Sequence, residues 1–470
     1  MLGGVDHAGA YLRSAGDVPL LVLGAGPMLF MDPKSTPERA SQDRWKAEAM
    51  VASLRELGLR AWAPGLNDYA LGAKELEALT TGGPALLGAN LRGASGGAQR
   101  SAVYTAGSVR VGVAGISRPQ RGATLPDALR IGDPLTELRA AAKELDSQGA
   151  ALKVALLALP RGEGLRLVEA VPDFHVALLG KPFDQGESND PVTPPTTIGK
   201  TLVIEAPNHL QALYVVDFVI DEGRFEFVDG AGESGERIAT ETRIRELEER
   251  IASAERGSAA KADIEARRAD LARAKARLRE LEIAAKPPEQ SYYRTRVVEV
   301  REKLGSDDKV KARLDEYYER VNEHNRVEFK DRKAPPVPEG GSGYAGVEQC
   351  VSCHQQEYAF WSTTRHARAY QTLAVQNKQF NLDCVGCHVT GYEEPGGSSV
   401  VHAFENVQCE TCHGPGSRHI QNPADLSLIR GQPDRGLCGP KCHHVPHVKP
   451  DWSVSDAWAH ILGPGHGRGR

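Results

Sequence analysis

Cysteine and histidine are concentrated in roughly the last quarter of this 470-residue chain, and their spacing repeats. All eight cysteines and eleven of the fifteen histidines follow Tyr344. The cysteines occur in pairs, and each pair is followed directly by a histidine: CVSCH at 350–354, CVGCH at 384–388, CETCH at 409–413 and CGPKCH at 438–443. This regularity predicts four copies of one chemical site.

The pattern C-x-x-C-H is typical of covalent haem attachment. Two thiols add to the two vinyl groups of one haem, and the adjacent histidine binds the iron from the same side. Paired cysteines also build zinc sites, but zinc does not require a histidine after every pair. A disulfide framework is disfavoured because every cysteine already belongs to a pair with its own histidine. We therefore predict four c-type haems, the fourth on condition that its longer loop presents both sulfurs to one porphyrin edge.

The haem-binding residues follow from these motifs. The predicted attachment residues are Cys350, Cys353, Cys384, Cys387, Cys409, Cys412, Cys438 and Cys442. The predicted iron ligands on the attachment side are His354, His388, His413 and His443. No methionine follows Met50, so a second axial ligand from this module is a histidine, a weaker group or nothing. The histidines outside the motifs are His366, His402, His419, His444, His447, His460 and His466. We expect mainly bis-imidazole haems of low potential.

The sequence around the motifs resembles the tetrahaem cytochromes c of the cytochrome c-552/c-554 group. The resemblance rests on STTRHARAYQTL at 362–373, VQCETCHGPGSRH at 407–419, CHHVPH at 442–447 and LGPGHG at 462–467. It implies distal iron ligands at His366 and His419, often to haems whose attachment-side histidine lies elsewhere in the sequence. His402 and His447 or His466 are the next candidates for distal ligands.

The residues before this module have the pattern of a layered α/β domain. From about residue 16 to 231, apolar strand-like runs such as VALLALP at 154–160 alternate with amphipathic segments. Helices are predicted from residues 35–37 to Gly58 and over residues 134–146. The charged residues 241–282 predict an antiparallel helical hairpin that turns at Gly257 and Ser258, either as a charged spacer or as a partner-binding coiled coil.

The chain is therefore predicted to be multidomain. Its parts are an α/β layered domain at 1–231, a helical hairpin and connecting segment at 232–333, a Pro/Gly linker at 334–343 and a mostly helical or irregular multihaem cytochrome c module at 344–470. Within the connecting segment, YYRTRVVEV at 292–300 predicts a strand and residues 307–325 predict a helix.

Residues 2–231 resemble the metallophosphoesterase domain of 5′-nucleotidases, with cues such as APGLNDYALG at 63–72 and ALLGANLRG at 85–93 in family order. Active members hold two metal ions, and this resemblance implies that most of the ligands are lost here. The substituted positions are Pro27, Leu66, Asn67, Leu159 or Pro160, and GKPF at 180–183. Only Asp68 still matches the family motif around it. Leucine and proline cannot bind hard cations, so we expect a body without hydrolase activity.

Composition limits the partners and the location. The net charge of −5 disfavours nucleic acid as a partner, and no run of about 18 uncharged apolar residues predicts a membrane span, so a soluble chain is expected. No secretory signal opens the sequence, although thioether-bound haem belongs in a bacterial periplasm. The metal-binding first strand of the phosphoesterase family is also absent. We therefore predict a longer natural precursor, for which a lipid anchor is one option.

Three functions remain open on the sequence alone. The favoured one is a periplasmic cytochrome that passes electrons between redox partner proteins, with the α/β body as a docking or spacing scaffold. The second is an enzyme that acts on a small nitrogen species at a five-coordinate haem. The third is a nucleotide or phosphoester hydrolase tethered to a cytochrome.

Overall fold

The computed structural model describes residues 4–119, 123–126, 128–181, 192–207, 210–230, 234–256, 261–284, 289–443, 448 and 453–463. The chain divides into two compact units, which we call the N-terminal unit (Leu2–Ser35 and Met50–Val310) and the C-terminal unit (Thr36–Ala49 and Lys311–Arg470). Among the described residues, no helix combines the length and the apolar character needed to cross a bilayer.

The elements before residue 330 alternate between strands and helices, as predicted. The helices are α1 (Val5–Ser14), α2 (Ala40–Glu56), α3 (Ala73–Thr80), α4 (Pro134–Ser147), α5 (Arg161–Ala170), α6 (Ser234–Arg256), α7 (Lys261–Ala284) and α8 (Asp308–Glu328). The strands are β1 (Val22–Ala25), β2 (Leu59–Ala63), β3 (Ala85–Leu86), β4 (Leu91–Gly93), β5 (Ser101–Ala106), β6 (Val109–Ser117), β7 (Leu129–Ile131), β8 (Leu152–Ala158), β9 (Val176–Gly180), β10 (Thr196–Ile198), β11 (Thr201–Glu205), β12 (Ala212–Val219), β13 (Val228–Asp229) and β14 (Tyr292–Glu299).

The N-terminal unit contains a six-stranded sheet of order β10–β11–β9–β8–β6–β5, parallel from β11 to β6 and antiparallel at both edges. All seven residues of β8 are buried, which is typical of an interior parallel strand covered on both faces. Two further sheets have the orders β1–β2–β3 and β12–β14–β13, and β4 pairs with β7. The strand predicted at 292–300 therefore joins β12, to which it pairs antiparallel.

Two apolar clusters hold these layers together. In the first, Leu138 of α4 and Leu167 of α5 pack with Leu157 of the six-stranded sheet. In the second, Val113 of the same sheet packs with residues of β2 and with Tyr293 of β14. The large sheet is thus covered by helices on one face and by other strands on the opposite face, which confirms the predicted α/β layers.

The predicted helices are present in the structure, and some of their boundaries differ from the prediction. Asp133 caps α4 by accepting a hydrogen bond from Thr136 N at 2.8 Å. Helix α2 begins at Ala40 rather than at residues 35–37, because Arg39 N donates to Thr36 O and closes a separate turn first. Helices α6 and α7 form the predicted pair. Their predicted turn at Gly257 and Ser258 lies outside the described residues.

The C-terminal unit consists mainly of short helices and irregular segments, as predicted. Its elements after residue 340 are α9 (Val347–Val351), α10 (Gln355–Trp361), α11 (Ala369–Ala374), α12 (Val385–His388), β15 (Val389–Thr390), β16 (Phe404–Glu405), α13 (Cys409–His413), α14 (Ser417–Gln421), α15 (Cys438–Lys441) and α16 (Val454–Ile461). Residues 334–343 contain no helix or strand, but Pro335 O accepts from Gly396 N at 2.7 Å and Gly343 N donates to Ser417 Oγ at 2.9 Å.

Residues far from the cytochrome motifs in sequence belong to the same unit. The Gln42 side chain accepts a hydrogen bond from Asn325 of α8 at 3.0 Å and donates one to Asn381 at 3.2 Å. Asn381 comes shortly before the second attachment motif. The first part of α2 and helix α8 therefore support that motif.

Candidate haem-attachment site

Each cysteine pair lies on a short helical turn that ends near its histidine. In the first motif His354 N donates to Cys350 O at 3.0 Å, and the second and third motifs lie on α12 and α13. In the fourth motif His443 N donates to Cys438 O at 2.8 Å, so this turn closes over five residues instead of four. A wider turn thus accommodates the extra residue and keeps the histidine beside its cysteines.

Thiols of different motifs lie close together, and none of the eight cysteines, all of which the structure describes, forms a disulfide. Cys350 is hydrogen-bonded to Cys409, and this bond together with burial raises the pKa of the Cys350 thiol. Cys387 Sγ donates to Lys441 O at 3.2 Å, and Cys442 Sγ lies 3.9 Å from Cys387 O. The first motif is therefore next to the third, and the second is next to the fourth.

The third and fourth motifs are also neighbours. Burial raises the pKa of the Cys412 thiol, and the charge of Cys438 contributes to the same shift. The four motifs consequently follow one another in space in the order first, third, fourth, second. A row of adjacent attachment points is the arrangement that a chain of cofactors in contact requires.

Backbone carbonyls orient two of the motif histidines. His388 Nδ1 lies 2.6 Å from Ala369 O, and His413 Nδ1 lies 2.7 Å from Arg430 O. A histidine whose Nδ1–H donates to a carbonyl carries its lone pair on Nε2, the atom that then binds a metal. This second contact fits the role of an iron ligand for both residues.

His366 faces the histidine of the fourth motif. The ring centroids of His366 and His443 are 6.1 Å apart, and the ring planes are inclined by 56°. Because an imidazole nitrogen binds a metal at about 2 Å, two rings on opposite sides of one metal ion have centroids about 6 Å apart. Burial and the neighbouring His443 lower the pKa of His366, which favours the neutral form that a ligand requires. A haem iron would fit between the two rings, with one nitrogen of each histidine as a ligand.

The other distal candidates differ in their surroundings. His419 Nδ1 is buried and has no hydrogen-bond partner among the described residues, as expected for an atom that binds a group outside the polypeptide. His402 is exposed, and its Nε2 lies 2.6 Å from Lys330 O, so its remaining ring nitrogen is Nδ1. The structure does not describe His444, His447 and His466.

Two buried side chains of the third motif region hold the first motif. Glu410 accepts from Ala345 N at 3.0 Å and from Gly346 N at 2.8 Å, just before α9 begins. Gln408 accepts from Val347 N at 2.7 Å. These acceptors satisfy N–H groups at the start of α9 and join the first motif to the third.

Lys441, one of the three residues between the cysteines of the fourth motif, forms an ion pair. Lys441 Nζ lies 2.5 Å from Glu394 Oε1, and the Tyr344 hydroxyl also donates to Glu394. Burial acts to raise the pKa of Glu394, but the hydrogen bonds from Lys441 and Tyr344 outweigh it and lower the pKa overall. The wider turn is thus connected to Glu394 through Lys441.

Asp383, directly before the second motif, is held by two cations. Lys46 Nζ lies 3.0 Å from its carboxylate, and Arg39 donates to the other oxygen. Burial acts to raise the pKa of Asp383, but Lys46 and Arg39 lower it to about 2. Sequence reasoning missed Asp383, Glu394 and Glu410. Of these three residues, only Glu410 could have been found from the local sequence, because it lies between two cysteines of one attachment motif.

In the N-terminal unit, hydrogen bonds connect the loops where the phosphoesterase resemblance places metal ligands. Asp68 accepts from Met28 N at 2.8 Å, Leu29 N at 2.9 Å, Gly65 N at 3.0 Å and Trp62 Nε1 at 3.3 Å. Burial nevertheless raises the pKa of Asp68 to about 6. Within the described ranges, no three His, Cys, Asp or Glu side chains converge as a ligand group.

The substituted positions pack as ordinary structure where they are described. Pro27 packs closely against Gly65, because a Cβ atom added to Gly65 would lie 2.3 Å from the Cδ of Pro27. Leu66 and Leu159 are buried apolar residues. Pro182 and Phe183 of the GKPF segment lie outside the described residues.

Comparisons with known proteins address both units. The family model described as "Cytochrome c554 and c-prime" matches residues 349–414. Cytochrome c-554 of Nitrosomonas europaea is 33% identical over 91 residues, which cover 16% of this chain and 39% of that protein. The chain thus spans well under half the length of this relative.

Solved structures with likeness to the chain include two nucleotidases. The 5′-nucleotidase precursor of Thermus thermophilus is 17% identical with a TM-score of 0.45, covering 72% of this chain and 55% of that one. The NAD nucleotidase of Haemophilus influenzae is 14% identical with a TM-score of 0.39, covering 47% of this chain and 42% of that one.

The residues matched by the cytochrome model contain the first three attachment motifs, including the histidines His388 and His413 that backbone carbonyls orient. This match confirms the predicted resemblance of the C-terminal residues to the cytochrome c-554 group. A cytochrome c554 domain model thus matches the part of the chain that contains the first three attachment motifs.

Proposed function

We propose that this chain is a periplasmic tetrahaem cytochrome c that passes electrons between redox partner proteins, with the N-terminal unit as a docking or spacing scaffold. The observation that supports the proposal is the row of attachment motifs. Thiols of the first and third, the third and fourth, and the fourth and second motifs are neighbours in it. Adjacent attachment points let neighbouring cofactors exchange electrons along the row. Its ends are the first and second motifs, where partner proteins would deliver or collect electrons.

The residues present fit four c-type haems. The cysteines of each motif supply the attachment thiols, and His354, His388, His413 and His443 supply the first axial ligand. We assign His366 as the second ligand opposite His443, and His419 as a further distal ligand through its buried nitrogen. When bound, haem iron supplies a one-electron redox couple. The protein would hold each group and orient its ligands.

Intact-protein mass tests the haem number. The chain is expressed with a signal peptide and haem maturation factors, and we expect a mass gain of four haems. A matched variant with Cys438→Ser and Cys442→Ser should gain three. A natural chain that gains three, with both cysteines unmodified, would reduce the proposal to a trihaem carrier, and a gain of none would overturn it.

Ligand-binding spectra separate the carrier from an enzyme with a vacant iron site. We expect the reduced protein to show no spectral change with carbon monoxide or nitric oxide, because the seven histidines outside the motifs are more than the four second ligands that the proposed haems need. A stoichiometric change at one haem would favour action on a small nitrogen species. Phosphatase assays with added manganese or zinc test the third function, and we expect no turnover because Pro27, Leu66 and Leu159 offer no ligand atoms.

A further inference from the structure

Glu410 is a buried carboxylate inside the third attachment motif, and only 2% of the residue is exposed. Its Oε1 accepts from Ala345 N at 3.0 Å and from Gly416 N at 2.7 Å, and its Oε2 accepts from Gly346 N at 2.8 Å and from Ala345 N at 3.1 Å. These partners are all backbone N–H groups. Among the described residues, no lysine, arginine or histidine forms an ion pair with Glu410.

Both oxygens of Glu410 accept hydrogen bonds from backbone N–H groups. Such donors interact with a carboxylate as they do with oxyanions at other backbone sites. Peptide dipoles solvate a carboxylate charge without cancelling it, because they carry no net charge of their own. A carboxylate at this position is therefore a buried anion without a counter-ion among the described residues.

The charge of Glu410 reaches the attachment points of two haems. The pKa of the Cys350 thiol is raised mainly by its hydrogen bond to Cys409 and by burial, and Glu410 adds to this shift. The pKa of Cys409 is lowered by its bond to Cys350, and burial and the Glu410 charge oppose that shift. The carboxylate thus acts on a cysteine of the first motif and on one of the third.

We propose that Glu410 is a potential-setting residue, whose buried charge lowers the reduction potentials of the haems attached by the first and third motifs. An electron added to iron near a buried anion is less stable, because a low local dielectric screens the repulsion poorly. The inference rests on the proposed haem attachment. It adds that electrons flow from the first–third end of the row towards the second motif. Electrons at the first–third end of the row lie at higher energy than they would without Glu410.

Redox titration of the full haem-loaded chain tests this. Glu410→Gln keeps the size of the side chain and one acceptor oxygen but removes the charge. We expect the potentials of one or two haems to rise by a tenfold or larger change in the one-electron equilibrium constant, which is about 59 mV. The matched control is Glu348→Gln, which removes a charge that also acts on Cys350 but lies exposed to solvent on α9. Its shift should be much smaller because water and salt screen an exposed charge.

Intact mass accompanies each titration and separates the two proposals. A natural chain without four haems would count against the proposed function. A fully loaded Glu410→Gln variant with unchanged potentials, or with a shift no larger than that of Glu348→Gln, would leave Glu410 a purely structural residue and overturn the inference.

A second measurement applies if Glu410→Gln loses haem. Redox-induced infrared difference spectra are compared for the natural chain and Glu410→Asp, which keeps the charge. We expect a carboxylate stretching band that responds to reduction and shifts between the two proteins. If no band differs between them, the carboxylate does not sense the haem charge and the inference is wrong.

Discussion

Replacing His366 with alanine should leave one haem without its second axial ligand. The 6.1 Å separation between the rings of His366 and His443 leaves space for one metal ion with a bond of about 2 Å to each ring. Alanine cannot reach the iron across that distance, and no methionine follows Met50 to replace the imidazole. We therefore expect one haem of the proposed four, the one attached by Cys438 and Cys442, to change from low spin to high spin.

Two spectroscopic measurements check this expectation. Electron paramagnetic resonance of the oxidised variant should show a new high-spin signal and the loss of about a quarter of the low-spin intensity, if the other ligands are kept. The reduced variant should also bind one equivalent of carbon monoxide. His402→Ala is the matched control, because His402 is exposed and its Nε2 already contacts Lys330 O at 2.6 Å.

An unchanged low-spin signal in His366→Ala, with four haems still attached, would remove His366 from the ligands. The same high-spin signal in His402→Ala would show that the Lys330 contact does not persist when haem is bound. Loss of the fourth haem itself, detected by mass, would indicate that His366 is needed for attachment before it is needed for coordination.

Two further predictions concern the ion pair of Lys441 and the buried side chain of Asp68. Lys441→Ala removes the ion pair with Glu394, a partly exposed contact of about 1 kcal/mol or less, and should lower the fraction of chains that carry the fourth haem, measured by intact mass against Lys330→Ala. A fourth haem at full occupancy would show that the wider turn needs no anchor. Because burial raises the pKa of Asp68 to about 6, the folded state holds its proton more tightly than the unfolded state does. Stability should therefore fall by about 3 kcal/mol as the pH rises from about 3 to 7. Denaturant unfolding should show Asp68→Asn gaining this amount over the natural chain across that range, and a pH-independent difference would contradict the raised pKa.

The features predicted well from sequence are those written in short, local patterns. The C-x-x-C-H motifs, the buried run of β8 and the cap of α4 at Asp133 each depend on neighbours in the chain. Local turn chemistry also explains why the start of α2 was predicted wrongly. There a turn between Thr36 and Arg39 closes before the helix begins, a detail that apolar periodicity does not record.

The contacts that sequence reasoning missed join residues far apart in the chain. Lys46 and Arg39 meet Asp383 across more than 330 residues, and Glu410 meets Ala345 across 65. No pattern within one segment indicates such partners. The same limit applies to distal ligands, since the proximity of His366 to His443 depends on how the intervening loops fold.

The order of the motifs in space has a consequence for how the protein is made. A chain exported from its N-terminus presents the motifs in the order first, second, third, fourth, whereas their neighbours in the folded unit are first with third and second with fourth. Cys442, which contacts Cys387 in the folded unit, follows it by 55 residues in the sequence. Export of the proposed cytochrome would therefore bring out the first and second motifs before the motifs next to which they lie. A premature stop near residue 437 would remove the fourth motif together with the contacts that Lys441 and Cys442 make with Cys387.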